Sequence, residues 1–168
     1  MKIKKADIPT GCLTANYLPA DYSDVFFCEV DSERKINPDD IMISFWSDFP
    51  GWVNALFKLR NFLVKFVGLK GSQEKTMEEL EKCIRTRSST GLASVPAKNN
   101  NETVLLLTDK HLNAYLSVYI ENNKSIFVIT LVHYKNKLGR IYFFFVRPFH
   151  GLIVRSMLKR SIHNLSKK

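Results

Sequence analysis

The chain has 168 residues, of which 45% are hydrophobic and 24% charged, a composition that indicates a folded domain and excludes intrinsic disorder as its main state. We predict a single domain over residues 1–168, with residues 1–18 as an N-terminal lead segment. The three cysteines are far apart and form no disulfide framework, and the N-terminus lacks the apolar run of a secretion signal. A reducing, cytoplasmic location is therefore expected.

The net charge of +9 is concentrated in the last part of the chain. No Asp or Glu follows Glu121, whereas residues 122–168 carry ten Lys or Arg. Such a segment can contact nucleic acid, an anionic membrane or an acidic partner, or it can simply be solvated. Glycine-rich phosphate loops and the GxSxG and HExxH motifs are missing, so these signatures of common enzyme classes are excluded.

The first half of the chain predicts one strand followed by helices. Residues 22–30 are aromatic and β-branched, which is typical of a strand. The run from Asn37 to Asp40 supplies an N-cap, a first-turn proline and two acids, so a short helix should extend to about Asp48. Pro50 opens a second amphipathic helix that ends at Gly68. A charged third helix is expected at 73–85, within an extra segment at 71–87.

From about residue 90 the hydrophobic pattern alternates, which predicts an antiparallel meander. The expected strands lie near 90–96, 102–108, 111–121, 125–135 and 140–146. Pro148 should end the last strand and begin a closing helix from Phe149 to about Leu165.

The hairpin at Asn122 and Asn123 determines which side of the sheet is buried. A two-residue turn would pair Glu121 with Lys124 and Val118 with Phe127. Leu112 and Leu116 would then share the buried face with Phe127, Ile129 and His133. If residues 136–139 form the next loop, His133 lies opposite Tyr142, and Tyr142 and Phe144 join the same inner wall.

The order of elements is that of the helix-grip architecture of START-like and birch-pollen-allergen-like proteins. Segments of the chain also resemble the bacterial family called domain of unknown function 2867. These segments are PADYSD at 19–24, WVNAL and LRN within 50–70, DKHL at 109–112, and GRIY continuing to PFH at 139–150. The resemblance implies an α+β helix-grip fold, with a curved antiparallel sheet of about six strands, two short helices after the first strand and a long C-terminal helix over the sheet. It implies no reaction.

Three functions remain open from the sequence. The first is binding of a hydrophobic or amphiphilic small molecule between sheet and C-terminal helix. Its expected pocket residues are Leu112, Leu116, Phe127, Ile129, His133, Tyr142, Phe144 and Ile153. An acidic ligand would meet Arg140, Arg147 or Arg155 near the rim of this cavity.

The second function is an enzyme of cyclase or hydrolase type that works in the same cavity. Its candidate catalytic residues are His133, Tyr142 and His150, which would need Asp109 or Glu102 as a partner. We expect binding rather than catalysis, no cofactor, and no metal site from His111, His133 and His150, because their spacing is not that of ligands.

The third function is a basic surface for a membrane or a protein partner. Arg155, Lys159 and Arg160, with Lys167 and Lys168, would flank an apolar stripe of Met157, Leu158 and Ile162. The longest strictly apolar run, residues 141–146, is too short to cross a bilayer, so no transmembrane segment is expected. No specific nucleic-acid binding is expected, and the oligomeric state stays open.

Overall fold

The computed structural model describes residues 2–31, 35–47, 49–54, 77–91 and 93–165. The strands are β1 (Lys4–Lys5), β2 (Tyr22–Glu29), β3 (Ser89–Thr90), β4 (Ala93–Lys98), β5 (Glu102–Thr108), β6 (Leu112–Glu121) and β7 (Ser125–Tyr134). The helices are α1 (Pro38–Ser47), α2 (Met77–Thr86) and α3 (Lys137–Leu165), with a 3-10 helix at Leu13–Tyr17. Residues 51–54 are also helical; the rest of the helix expected at 50–68 lies outside the described residues.

All seven strands form one antiparallel sheet in the order β1-β2-β7-β6-β5-β4-β3. The sheet is curved and open, and the long helix α3 packs against it, so the protein is an α+β fold of helix-grip type. An irregularity in the β4–β5 pairing lies between Ser94 and Ala97, the kind of break that bends a strand.

One face of the sheet, the inner face, carries the main core. Side chains from α1, α2 and the C-terminal half of α3 pack on it, and Phe26, Met42, Leu105, Val128 and Leu158 are completely buried there. The start of α1 is as predicted, because the Asn37 side chain accepts a hydrogen bond from the Asp39 amide at 2.9 Å.

The opposite, outer face is also covered, which the alternating pattern did not predict. The N-terminal lead segment lies on it, with Cys12 buried against Val25, Ile129 and Leu131. Glu102, which is completely buried, holds this segment in place. Its carboxylate accepts hydrogen bonds from the amides of Leu13 and Thr14 and from the hydroxyls of Thr14 and Ser117.

The predicted register of the β6–β7 hairpin is wrong by one residue. The turn does close with a hydrogen bond from the Lys124 amide to the Glu121 carbonyl at 3.1 Å, and Asn122 and Asn123 have positive φ. The ladder, however, pairs Glu121 with Ser125, so Lys124 is an extra residue outside it. A shift of one residue reverses every side chain on β7. Phe127, Ile129 and His133 therefore lie on the outer face.

The strand predicted at 140–146 is wrong as well, because α3 begins at Lys137 and continues through Pro148 to Leu165. Asn136 caps this helix by accepting a hydrogen bond from the Gly139 amide at 3.1 Å. A short apolar run such as 141–146 fits a buried strand and a helix segment equally well by periodicity. Tyr142 and Phe144 are thus on α3 and do not belong to the inner wall of the sheet.

Gly139 is required where α3 begins. A Cβ atom at this position would lie 2.2 Å from the carbonyl oxygen of His111, which the Lys135 amide already holds at 2.8 Å. We predict that Gly139→Ala lowers the free energy of unfolding by about 2 kcal/mol or more, because backbone has to move. Urea unfolding measures this change.

Gly51→Ala is the matched control, because Gly51 is also helical and no atom of the described residues lies within 4 Å of its Cβ position. Alanine there should be neutral or stabilising, by up to about 1 kcal/mol. Equal stability of the two variants would contradict the close contact between α3 and residue 111.

Candidate functional site

Where α3 crosses β2, three polar side chains meet. The Asp24 Oδ2 atom accepts a hydrogen bond from the Tyr22 hydroxyl at 2.8 Å and lies 2.9 Å from His150 Nδ1. The Asp24 side chain is only 5% exposed and that of His150 16%. We call these three residues, together with Thr130 opposite Asp24 on β7, the polar cluster.

Strand alternation and a close helix crossing produce this arrangement. Tyr22 and Asp24 alternate with outward residues on β2, so both point to the inner face like Phe26. Gly151 lets α3 approach, since a Cβ there would lie 3.2 Å from the Phe26 ring. The neighbouring His150 is thereby placed above Asp24, although 126 residues separate the two in sequence.

The hydrogen bonds define the protonation pattern at the cluster. Because a carboxylate only accepts, the His150 Nδ1 atom carries the proton of this hydrogen bond. Within the described part of the chain Nε2 has no hydrogen-bond partner. Burial, followed by the charge of Asp24 and the hydrogen bond to it, raises the pKa of Tyr22 well above the ordinary tyrosine value.

Among the residues that the structure describes, two buried oxygens of the cluster, Asp24 Oδ1 and Thr130 Oγ1, have no hydrogen-bond partner. Thr130 is the direct cross-strand neighbour of Asp24 and is 4% exposed. Side chains at such positions stand about 5 Å apart on the same face. The two side chains therefore lie next to each other on the inner face of the sheet.

Aromatic and cationic side chains surround the outer end of the cluster. The rings of Phe143 and His150 lie 4.8 and 5.8 Å from the Tyr22 ring. The exposed Arg147 places its guanidinium 5.5 Å from the centre of the same ring. The exposed guanidinium of Arg147 thus lies at the outer end of the polar cluster, and the buried oxygens of Asp24 and Thr130 lie at its inner end.

Of the catalytic candidates from sequence, His150 gains a carboxylate partner, Asp24, and that partner is neither Asp109 nor Glu102. Asp109 accepts hydrogen bonds from the His111 and Leu112 amides at 2.6 and 2.9 Å and so shapes a turn. Glu102 accepts hydrogen bonds from Leu13 and Thr14 of the N-terminal lead segment. Asp24 was missed because it reads in sequence as one polar residue within a strand.

The residues expected to line one pocket are divided among different parts of the fold. His133 lies on the outer face, where its ring meets Tyr115 edge-on at 5.5 Å between centroids. Phe127 and Ile129 belong to the same outer cluster. Leu116 and Ile153 belong to the main core, Leu112 and Tyr142 pack with Phe143, and Phe144 is 70% exposed.

A second polar region lies away from the polar cluster. A surface pocket of about 500 Å³ is lined by polar residues that include Lys35, Asn37 and Lys98, and Lys98 pairs with the buried Asp39 at 2.5 Å. In the ranges 2–31, 35–47, 49–54, 77–91 and 93–165, no three His, Cys, Asp or Glu side chains are grouped to hold a metal ion.

The side of α3 that faces away from the sheet is apolar and exposed. We call six of its residues, each 41–70% exposed, the outer strip: Leu138, Ile141, Phe144, Phe145, Phe149 and Leu152. The prediction that Met157, Leu158 and Ile162 form an apolar surface stripe is wrong, because Met157 and Leu158 are buried in the core.

By length and composition alone, α3 could cross a membrane, with a mean hydropathy of 1.2 and 22% of its apolar window buried. The sequence expectation of no such segment depended on the longest strictly apolar run, residues 141–146, which is too short to cross a bilayer. Core helices of soluble proteins pass the same test, and Val154, Met157 and Leu158 of α3 are part of the core in this protein.

The raised pKa of Tyr22 predicts a pH dependence of stability. In the unfolded chain Tyr22 ionises near pH 10, whereas in the folded protein it stays protonated. Stability from this group is complete below about pH 10 and falls as the pH rises beyond it, because the unfolded state then releases the proton. Tyr22→Phe should show a shallower decline between about pH 9 and 11 in urea unfolding. Parallel declines would contradict the buried contact with Asp24.

Comparison with family models found one match, described as a protein of unknown function (DUF2867), over residues 17–157. Neither the curated proteins nor the solved structures gave a match. The matched region contains the whole polar cluster and most of α3. The chain belongs to the DUF2867 family of proteins of unknown function.

Proposed function

We propose that the protein binds a small amphiphilic molecule at the polar cluster, between β2, β7 and α3. The observation that carries this proposal is the pair of unsatisfied oxygens, Asp24 Oδ1 and Thr130 Oγ1. A buried polar atom without a partner costs about 1–3 kcal/mol, and two of them on neighbouring residues are suited to a bound polar group. A few polar groups in an apolar surrounding are typical of ligand sites.

The chemistry of these oxygens selects the polar end of the ligand. Asp24 Oδ1 can only accept a hydrogen bond, whereas the Thr130 hydroxyl can donate or accept. An alcohol hydroxyl can donate to Asp24 and accept from Thr130 at the same time. A carboxylate ligand would be repelled by Asp24, so an acidic group would have to remain outside, near Arg147.

We expect the apolar end of the ligand to contact the side chains next to the cluster. Val132 and Phe143 are nearly completely buried beside it, and the Tyr22 ring packs on Phe143. The ligand proposed here therefore has an alcohol or a similar donor at one end and an alkyl or aromatic body. The eight pocket residues expected from sequence do not surround this place as a group.

Acid–base catalysis in the same place is a second candidate, favoured by the hydrogen bond between Asp24 and His150 Nδ1. A carboxylate on Nδ1 orients the imidazole and leaves Nε2 to take a proton from a substrate or from water. In that case His150→Gln would still bind the ligand but would no longer convert it, and mass spectrometry of the ligand would detect the difference.

Thr130→Val tests the binding proposal, because valine keeps the shape and removes only the hydroxyl. The variant without ligand should be as stable as the wild type or more stable by about 1 kcal/mol, since an unsatisfied buried hydroxyl is lost. Decanol should raise the melting temperature of the wild type but not of Thr130→Val, and decanoate should have a smaller effect on the wild type.

Thr108→Val is the matched control, because the Thr108 hydroxyl is engaged with Asn113 at 3.0 Å, away from the cluster. It should keep the full response to decanol. An equal response of Thr130→Val and the wild type, or a stronger response to decanoate than to decanol, would overturn the proposal.

A further inference from the structure

We propose that the outer strip of α3 docks on the surface of an anionic lipid bilayer. This inference does not depend on the small-molecule site, because its residues face away from the sheet. It starts from the size of the apolar surface: the six residues of the strip include three phenylalanines, with Phe144 70% and Phe145 61% exposed. Soluble proteins rarely expose such a contiguous patch without a binding role.

The spacing of these residues makes one continuous surface. Leu138, Ile141, Phe145, Phe149 and Leu152 follow one another at intervals of 3, 4, 4 and 3, which places them on one side of a helix. From Leu138 to Leu152 the strip is about 21 Å long at 1.5 Å per residue. Its opposite side is fixed to the sheet by Gly139, Phe143, His150 and Val154.

The charge of α3 indicates what covers the strip. The helix carries Lys137, Arg140, Arg147, Arg155, Lys159 and Arg160 and no acidic residue. The α3 helix of a second copy docked strip to strip would supply no counter-charge to these cations, which opposes a symmetric dimer. An anionic surface complements them.

The combination of apolar and cationic side chains fits a bilayer interface. Phenylalanine, leucine and isoleucine can enter the boundary between headgroups and acyl chains, while Arg and Lys reach anionic headgroups with their long side chains. Because Val154, Met157 and Leu158 are buried in the core, α3 would have to leave the domain in order to span the bilayer. Docking in the plane of the surface leaves the fold intact.

Co-sedimentation with lipid vesicles tests the proposal. The wild type should bind vesicles made of equal amounts of phosphatidylglycerol and phosphatidylcholine. It should bind much less to vesicles of phosphatidylcholine alone, and much less to the mixed vesicles in about 0.5 M NaCl. The double variant F144S/F145S should lose binding at least about tenfold, because two of the most exposed apolar side chains are removed. Met77→Ser, at an apolar position 38% exposed on α2, is the matched control and should bind like the wild type.

Two double variants that each remove two positive charges test whether the cations next to the strip contribute to vesicle binding. K137Q/R140Q should weaken binding about tenfold, whereas K4Q/K5Q, which removes the same charge from the exposed strand β1, should have little effect. Equal effects of the two would mean that net charge alone drives binding and would overturn a docking role for the strip.

Two further measurements decide the remaining outcomes. Phe144→Trp should shift its emission to the blue on anionic vesicles and be quenched by brominated lipid, which tests insertion even if F144S/F145S folds poorly. If the wild type fails to bind vesicles, the proposal is wrong. It is also wrong if size-exclusion chromatography shows a wild-type dimer that F144S/F145S converts to a monomer, because the strip would then be covered by a second copy.

Discussion

The register of the β6–β7 hairpin is the constraint on which the other features of the structure depend. Lys124 is inserted between the Asn122–Asn123 turn and the ladder, so β7 turns Val128, Thr130 and Val132 to the helices. The alternate residues of β7, Ile129, Leu131 and His133, face the opposite side of the sheet, where the N-terminal lead segment lies. Without the extra residue Thr130 would face outward, and the pair of buried oxygens with Asp24 would not exist.

Local chemistry explains what could be predicted from sequence. The strand at 22–29, the Asn37 cap of α1 and the strands from β5 to β7 follow from alternation, capping and turn residues. The register could not be derived, because an Asn-Asn turn permits a ladder with or without Lys124. The strand at 140–146 was mistaken because six apolar residues fit a strand or a helix, and a proline usually marks an end.

The polar cluster shows a different limit of prediction. His150 was recognisable as a candidate near the start of a helix. Its partner could not be found, because the contact with Asp24 depends on where a 29-residue helix crosses β2 and on Gly151 at that crossing. A buried acid in a strand has no local pattern that distinguishes it from a solvent-facing one. Only tertiary geometry separates Asp24 from Asp21, which is exposed at the same end of the strand.

Glu102 has a consequence for the boundaries of the family. The region shared with other DUF2867 members begins at residue 17, yet Leu13 and Thr14 supply three of the four hydrogen-bond donors to this completely buried carboxylate. A truncation at residue 17 would leave Ser117 as its only partner among the described residues and would uncover the apolar outer face. The cooperative unit of folding is therefore longer at its N-terminus than the region that the family model matches.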